Sequence, residues 1–247
     1  MINPFTPSEI ASLPEDFFGR DKEIQLLARS INQGSVCIEG SFGIGKSSFM
    51  SRTLLHMDGF ASDENNIFIY GVGGRMLYWN GEKWDYREPN TIHDLFGMWG
   101  EDMEHIHTVG GEGIYRFYNG KEFLRREDLT DETVSLFGVW GTSNDNIYIC
   151  GSHGTILRYD GTDWKSMQSG TEEYLLSIWG SSNENIFVGG DNSVMLHYDG
   201  KKWSPIQSPK DEYLTKVKGL GPDQVYACGE NGMVIKYDGK EWSDMSL

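Results

Sequence analysis

The chain is short of cysteine, short of basic residues and free of long apolar runs, and each shortage removes a class of protein. Its 247 residues include three cysteines, Cys37, Cys150 and Cys228, which are odd in number, far apart and without a CxxC pair. That spacing speaks against a disulfide framework or a zinc site and suits a reducing compartment, so a cytoplasmic location is expected. Lys and Arg number 21 against 37 Asp and Glu, a formal net charge of −16. A field of that sign repels phosphate backbones, so nucleic acid is not expected as a partner; it favours solubility and would steer a basic protein. No stretch is apolar for the length of a bilayer crossing, and Met1–Pro7 has neither a basic start nor an apolar core, so neither a membrane span nor a secretory signal is expected. Aliphatic residues are few too, whereas glycines number 31 and aromatics make up 13%. Short strands joined by tight turns fit that balance; a helix bundle does not.

The glycines and aromatics fall at a fixed period. An aromatic residue, Asn or Asp, then Gly recurs at Trp79-Asn80-Gly81, Tyr118-Asn119-Gly120, Tyr159-Asp160-Gly161, Tyr198-Asp199-Gly200 and Tyr237-Asp238-Gly239, with spacings of 39, 41, 39 and 39. Three residues after each Gly stands another aromatic: Trp84, Phe123, Trp164, Trp203 and Trp242. Upstream, Leu95, Leu136 and Leu175 precede Trp99-Gly100, Trp140-Gly141 and Trp179-Gly180; the fifth copy keeps Leu214 and Gly219 but has Lys218 in the Trp place. For the first copy the same register selects Leu54, Asp58 and Gly59. A short apolar pair lies between the two markers, from Ile67-Phe68 to Val225-Tyr226. Cys150 and Cys228 occupy matching places beyond that pair and read as small core residues.

Each copy reads as four strands, a to d. In the fourth copy they are expected at Tyr174–Trp179, Asn185–Gly189, Val194–Tyr198 and Lys202–Gln207. The Asn-Gly or Asp-Gly between c and d predicts a two-residue hairpin turn with positive φ at both positions, its flanking aromatics face to face. The Gly of Trp-Gly is expected to free the backbone to turn at the end of strand a. A four-stranded unit of about 40 residues, repeated radially, is a propeller blade. The array resembles bacterial β-propeller repeats of the Trp-Gly…Tyr-Asp-Gly-x-x-Trp kind over about residues 54–247. The fold expected is therefore all-β, a five-bladed β-propeller of four-stranded antiparallel blades spanning 53–247, with a short α/β segment at 1–52. Closure as a monomer and a ring-completing dimer are both compatible with five copies.

The first 50 residues do not follow the repeat. Asp21 can cap a helix with Ile24, Leu27 and Ile31 on one face, and Ser35–Glu39 reads as a buried strand. Gly40-Ser41-Phe42-Gly43-Ile44-Gly45-Lys46-Ser47 then matches GxxxxGK[ST] in full. In such a loop Gly40, Gly43 and Gly45 let backbone N–H groups curl around phosphates, Lys46 reaches the β- and γ-phosphates, and Ser47 holds Mg²⁺. With the Phe17-x-Gly19-Arg20 box before it, the block resembles the start of STAND- and AAA-type NTPase domains over about residues 14–57, which implies ATP or GTP with Mg. No apolar strand ending in Asp follows for a second metal contact, and 50 residues cannot bury an NTPase sheet, so hydrolysis by this chain is not expected. A P-loop helix at 46–57 also competes with strand a of the first copy for the same residues, and Ser35–Gly40 could instead pair with a blade edge. Those readings stay open at this point.

The loops carry the remaining signal. In a propeller the d–a and b–c loops open on one face. The d–a loops hold Glu88, Glu127, Asp128, Asp131, Glu132, Glu172, Glu173, Asp211 and Glu212; the b–c loops hold Glu112, His153, Asp191, Asn192, Glu230 and Asn231. Such a face is a solvated rim or a docking surface for a basic protein. His105 and His107 share a strand face but have no third ligand at a matching place, so they read as ordinary strand histidines. The expected function is a non-catalytic scaffold that needs no cofactor and docks a protein, with an inhibitor or immunity-type role as its specific version. A nucleotide-regulated sensor is the second reading. A glycan-binding propeller is the third, and it requires exposed aromatics at five equivalent positions.

Overall fold

The computed structural model describes residues 58–125 and 129–246. The helix and P-loop expected within 1–52, the boundary at 52/53, and Glu127 and Asp128 lie outside the described residues. Five four-stranded antiparallel sheets follow one another, each made of four consecutive strands. Blade 1 is β1 (Asp58–Asp63), β2 (Asn66–Tyr70), β3 (Met76–Trp79) and β4 (Trp84–Tyr86). Blade 2 is β5 (Leu95–Asp102), β6 (His105–Gly110), β7 (Tyr115–Tyr118) and β8 (Phe123–Arg125). Blade 3 is β9 (Leu136–Ser143), β10 (Asn146–Gly151), β11 (Ile156–Tyr159) and β12 (Trp164–Met167). Blade 4 is β13 (Leu175–Ser182), β14 (Asn185–Gly190), β15 (Met195–Tyr198) and β16 (Trp203–Pro205). Blade 5 is β17 (Leu214–Gly221), β18 (Gln224–Gly229), β19 (Val234–Tyr237) and β20 (Trp242–Asp244). Blade 5 is thus completed by its own last strand.

The first strand sits two residues later than the repeat register suggests. Phe60 lies opposite Phe68, just as Trp99 lies opposite His107 and Trp140 opposite Tyr148. Phe60 and Ala61 therefore fill the Trp and Gly places, not Asp58 and Gly59. A ring there is what the next blade requires, and Asp58 offers none.

That requirement explains the Trp-Gly pair. The ring of Phe60, Trp99, Trp140 or Trp179 lies on the glycine of the following blade. A Cβ at Gly100, Gly141 or Gly180 would stand 3.1, 2.8 and 2.6 Å from that ring, and one at Gly219 closer still. The glycine is a seat for the preceding blade's ring rather than a turning point, and strand a continues beyond it to Ser182 in blade 4. Apolar clusters then join successive blades. Phe68, Tyr70 and Met76 of blade 1 meet Leu95, Met98 and Ile106 of blade 2, and Phe187 and Met195 of blade 4 meet Leu214, Val217 and Val225 of blade 5. Aromatic edges complete the contact: Trp242 meets Phe187 edge-on at 5.7 Å, and Phe123 meets Phe68 so at 6.3 Å.

The c–d turns differ from the two-residue hairpin. Trp79 pairs with Trp84, and Tyr198 with Trp203, so four residues make each loop. Only the glycines have positive φ, from 84° to 94°. The side-chain oxygen of Asn80, Asn119, Asp160, Asp199 or Asp238 instead accepts the N–H groups two and three residues on, at 2.9–3.1 Å. The flanking aromatics do meet, with Tyr198 and Trp203 at 5.1 Å. Backbone N–H bonds, foremost among the causes, hold the Asp160, Asp199 and Asp238 carboxyls below the usual carboxylate range. Because the folded values are depressed, these carboxylates stabilise the fold above the unfolded value and lose that contribution as pH falls through the folded ones. Replacing all three by Asn, which already serves in blades 1 and 2, should leave the melting temperature at pH 7 within a few degrees and flatten its fall below pH 4. Thermal melts across that range check this; an equally steep fall would refute it.

Candidate functional site

The b–c loops and the d–a loops are stitched together by backbone hydrogen bonds. Asp191 N–H donates to Tyr174 O at 2.9 Å and Glu230 N–H to Tyr213 O at 3.2 Å, each within one blade. Gly113 N–H reaches Val134 O at 2.7 Å and Gly154 N–H reaches Glu173 O at 2.9 Å, each crossing to the next blade. The tip residues Glu112, His153, Asn192 and Asn231 occupy equivalent places and all have φ between 50° and 55°. This left-handed region is disfavoured for side-chain-bearing residues, least for Asn, and such residues concentrate at functional loops.

Several of the residues singled out in the sequence serve these loops themselves. Asn192 donates to Glu173 at 2.7 Å and Asn231 to Glu212 at 2.9 Å, while Ser193 donates to Asp211 at 2.5 Å. His93 lies 3.3 Å from Glu112, and Asp131 takes the hydroxyl of Thr133. Glu88, Glu132, Glu172 and Glu230 are exposed. Asp191 is half-buried; burial first and the Glu173 charge second raise its carboxyl above the ordinary value. Removing a charge from Asp191, or bringing a cation to it, is therefore favoured.

An aromatic row on the same end of the strands escaped the sequence reading. Phe96 and Phe137 lie 5.4 Å apart, Phe137 and Tyr174 5.9 Å, and Tyr174 meets His153 edge-on at 5.6 Å. Its signal in the sequence is the residue beside the repeat leucine, as in Leu95-Phe96 and Leu136-Phe137, a place that does not recur as an aromatic in every copy. Tyr174 and Tyr213 are exposed at matching places, but blades 2 and 3 have Asp94 and Ser135 there. Among the described residues, exposed aromatics therefore do not recur at this place in every blade.

His107 is buried, with Nδ1 2.7 Å from the Tyr115 hydroxyl, and it stacks on Trp99; His105 pairs with Asp102 at 2.8 Å. Both are accounted for by their neighbours. Cys150 is fully buried, and burial pushes its thiol up to about 12. Cys228, expected in the core, is only half-buried, because its side of blade 5 faces a different kind of joint.

No family model matches the chain, and no curated protein does. Solved structures do. The chain is similar to the RRP9 WD40 repeats, with TM-score 0.60 and 12% identity over 78% of this chain and 66% of that one. It is similar to the WD40 β-propeller domain of Doa1, with TM-score 0.62 and 8% identity over 76% of this chain and 66% of that one. YCF48 bound to D1 peptide gives TM-score 0.54 and 12% identity over 76% and 80%. The chain spans about two thirds of the length of the two WD40 structures. At these identities the likeness establishes the fold alone, a β-propeller.

Proposed function

We propose that the chain is a non-catalytic scaffold that docks a protein partner, through a basic segment, on the face made by its b–c and d–a loops. The observation that carries this is the convergence of three features on the same loops. Side chains are held in the left-handed region at four equivalent tips, exposed carboxylates surround them, and an aromatic row runs between. Carboxylates would steer and register a cationic segment, and the rings would supply contact area. A propeller of similar fold is described as bound to a peptide, which supports the reading by analogy of architecture alone. The acidic charge favours a masking role, of the inhibitor or immunity type. Titration of a fluorescent arginine-rich peptide, with charge reversals on this face and on the opposite one, tests the reading.

A second reading rests on the full GxxxxGK[ST] match at Gly40–Ser47. There the segment would bind ATP or GTP with Mg and regulate the scaffold, without hydrolysis. Calorimetric titration of the whole chain should then show micromolar binding that Lys46→Ala abolishes. Silence from the unaltered chain would end this reading and leave the docking one untouched.

A further inference from the structure

Four of the five joints between blades are built alike. In each, a ring lies on the next blade's glycine, as described above. At three of these joints, from blade 2 to blade 5, the neighbours also touch closely two residues before the ring on strand a; in blade 1 that place is Asp58. A Cβ at Gly97 would lie 2.9 Å from Phe137 O, and one at Gly138 would lie 3.2 Å from Ile178 N. At the next such place the Ser177 hydroxyl accepts the Val217 N–H at 3.0 Å.

The joint between blades 5 and 1 has neither device. Lys218, opposite Tyr226, stands in the Trp place and Lys216, opposite Cys228, in the Gly or Ser place. Blade 1 has Ala61 in the place of the seat glycine, and the Lys216 ammonium pairs with the Asp58 carboxylate. The two side chains of that pair stay 39% and 34% exposed. β1 and β17 approach each other far less closely than β5 and β9 or β13 and β17 do. The face of blade 5 that looks toward blade 1 is correspondingly less buried. Tyr226, Cys228 and Val234 are half-buried, whereas their equivalents Tyr148, Cys150 and Ile156 in blade 3 are fully buried.

We propose that the propeller opens at this joint: blades 5 and 1 part reversibly as the Lys216–Asp58 pair breaks, while the other four joints stay packed. An ion pair whose side chains are more than a third exposed holds far more weakly than a ring seated on a glycine. The second cation beside it, Lys218, which shares the Asp58 carboxylate with Lys216, adds to the imbalance. Burial first, and Lys216 second, push the Lys218 amine down to about 8, so near neutral pH the charge is held in the joint at a cost. Opening there changes the spacing between the first and last loops of the face without disturbing blades 2 to 4.

Hydrogen exchange of the whole chain, read by mass spectrometry, tests the proposal. Amides of β1 and β17 should exchange at least about tenfold faster than those of β9 and β13. Lys218→Trp with Ala61→Gly, which rebuilds the seat, should slow β1 and β17 toward the rate of β9 and leave β9 unchanged. Asp58→Asn, which keeps shape and removes the pair, should speed β1 and β17 alone. Equal protection of all inner strands in the unaltered protein would overturn the proposal. So would fast exchange at β1 and β17 that ignores both sets of variants, since that is the behaviour of simple fraying.

Discussion

Trp140→Ala should lower the free energy of unfolding by about 3–5 kcal/mol, the range for deleting a buried large aromatic. Trp140 is 7% exposed, its ring caps Gly180 of blade 4, and it belongs to the cluster that includes Tyr148, Leu175 and Ile178. Truncation leaves a cavity whose floor is a glycine backbone, which cannot collapse to fill it. Gly180→Ala attacks the same contact from the other side. Its new methyl would stand 2.6 Å from the ring, and the overpacking should cost about 1–3 kcal/mol. Lys218→Ala is the internal contrast, because it alters the same column at the one joint without a seated ring. It should change stability little or raise it, since it removes a charge from the joint. Urea unfolding of the three variants measures this ordering. A loss below about 1 kcal/mol for Trp140→Ala would mean that the ring stacks are not what joins the blades.

The same contact shows how the sequence carries the fold. Period, strand count and the pairing of Tyr198 with Trp203 were legible because each is written five times, and repetition separates a rule from an accident. The seat function of the glycine was not legible, because it links residues about 40 apart in neighbouring blades. A single copy shows only that Trp and Gly are adjacent. The place of the first strand is not legible for the same reason. Asp58-Gly59 imitates the letters of the motif, whereas the constraint is a ring facing the next blade, which Phe60 satisfies without resembling Trp-Gly. In the c–d turns, Asn-Gly and Asp-Gly suggested a two-residue loop. The side-chain oxygen instead caps two N–H groups, a role in which Asn and Asp serve alike. The loop face was half legible. Its carboxylates follow from loop position, but Glu173 and Glu212 are engaged with Asn192 and Asn231, and no linear pattern reports such a bond.

Glu132→Lys, Glu172→Lys and Glu230→Lys together should weaken binding of an arginine-rich peptide by about tenfold to a hundredfold at low salt. These carboxylates are exposed on the b–c and d–a loops, so their reversal leaves the Glu173–Asn192 and Glu212–Asn231 contacts in place. The control reverses Glu104, Glu184 and Asp223, exposed residues in the a–b turns at the other end of the blades. Both triple variants change net charge by the same amount, so a mere effect of overall field would appear equally in each. A docking face predicts the loss in the first alone. Salt should act in the same direction, weakening the unaltered protein more steeply than the first variant as exposed charges are screened. Acid should do so too. Asp191, whose carboxyl lies above its ordinary value, takes up a proton before an unperturbed aspartate would, and a bound cation opposes that protonation. Affinity should therefore begin to fall above the pH at which ordinary aspartates titrate, and Asp191→Asn should remove that early part of the decline. Equal weakening in both triple variants would reduce the acidic face to a solvated rim.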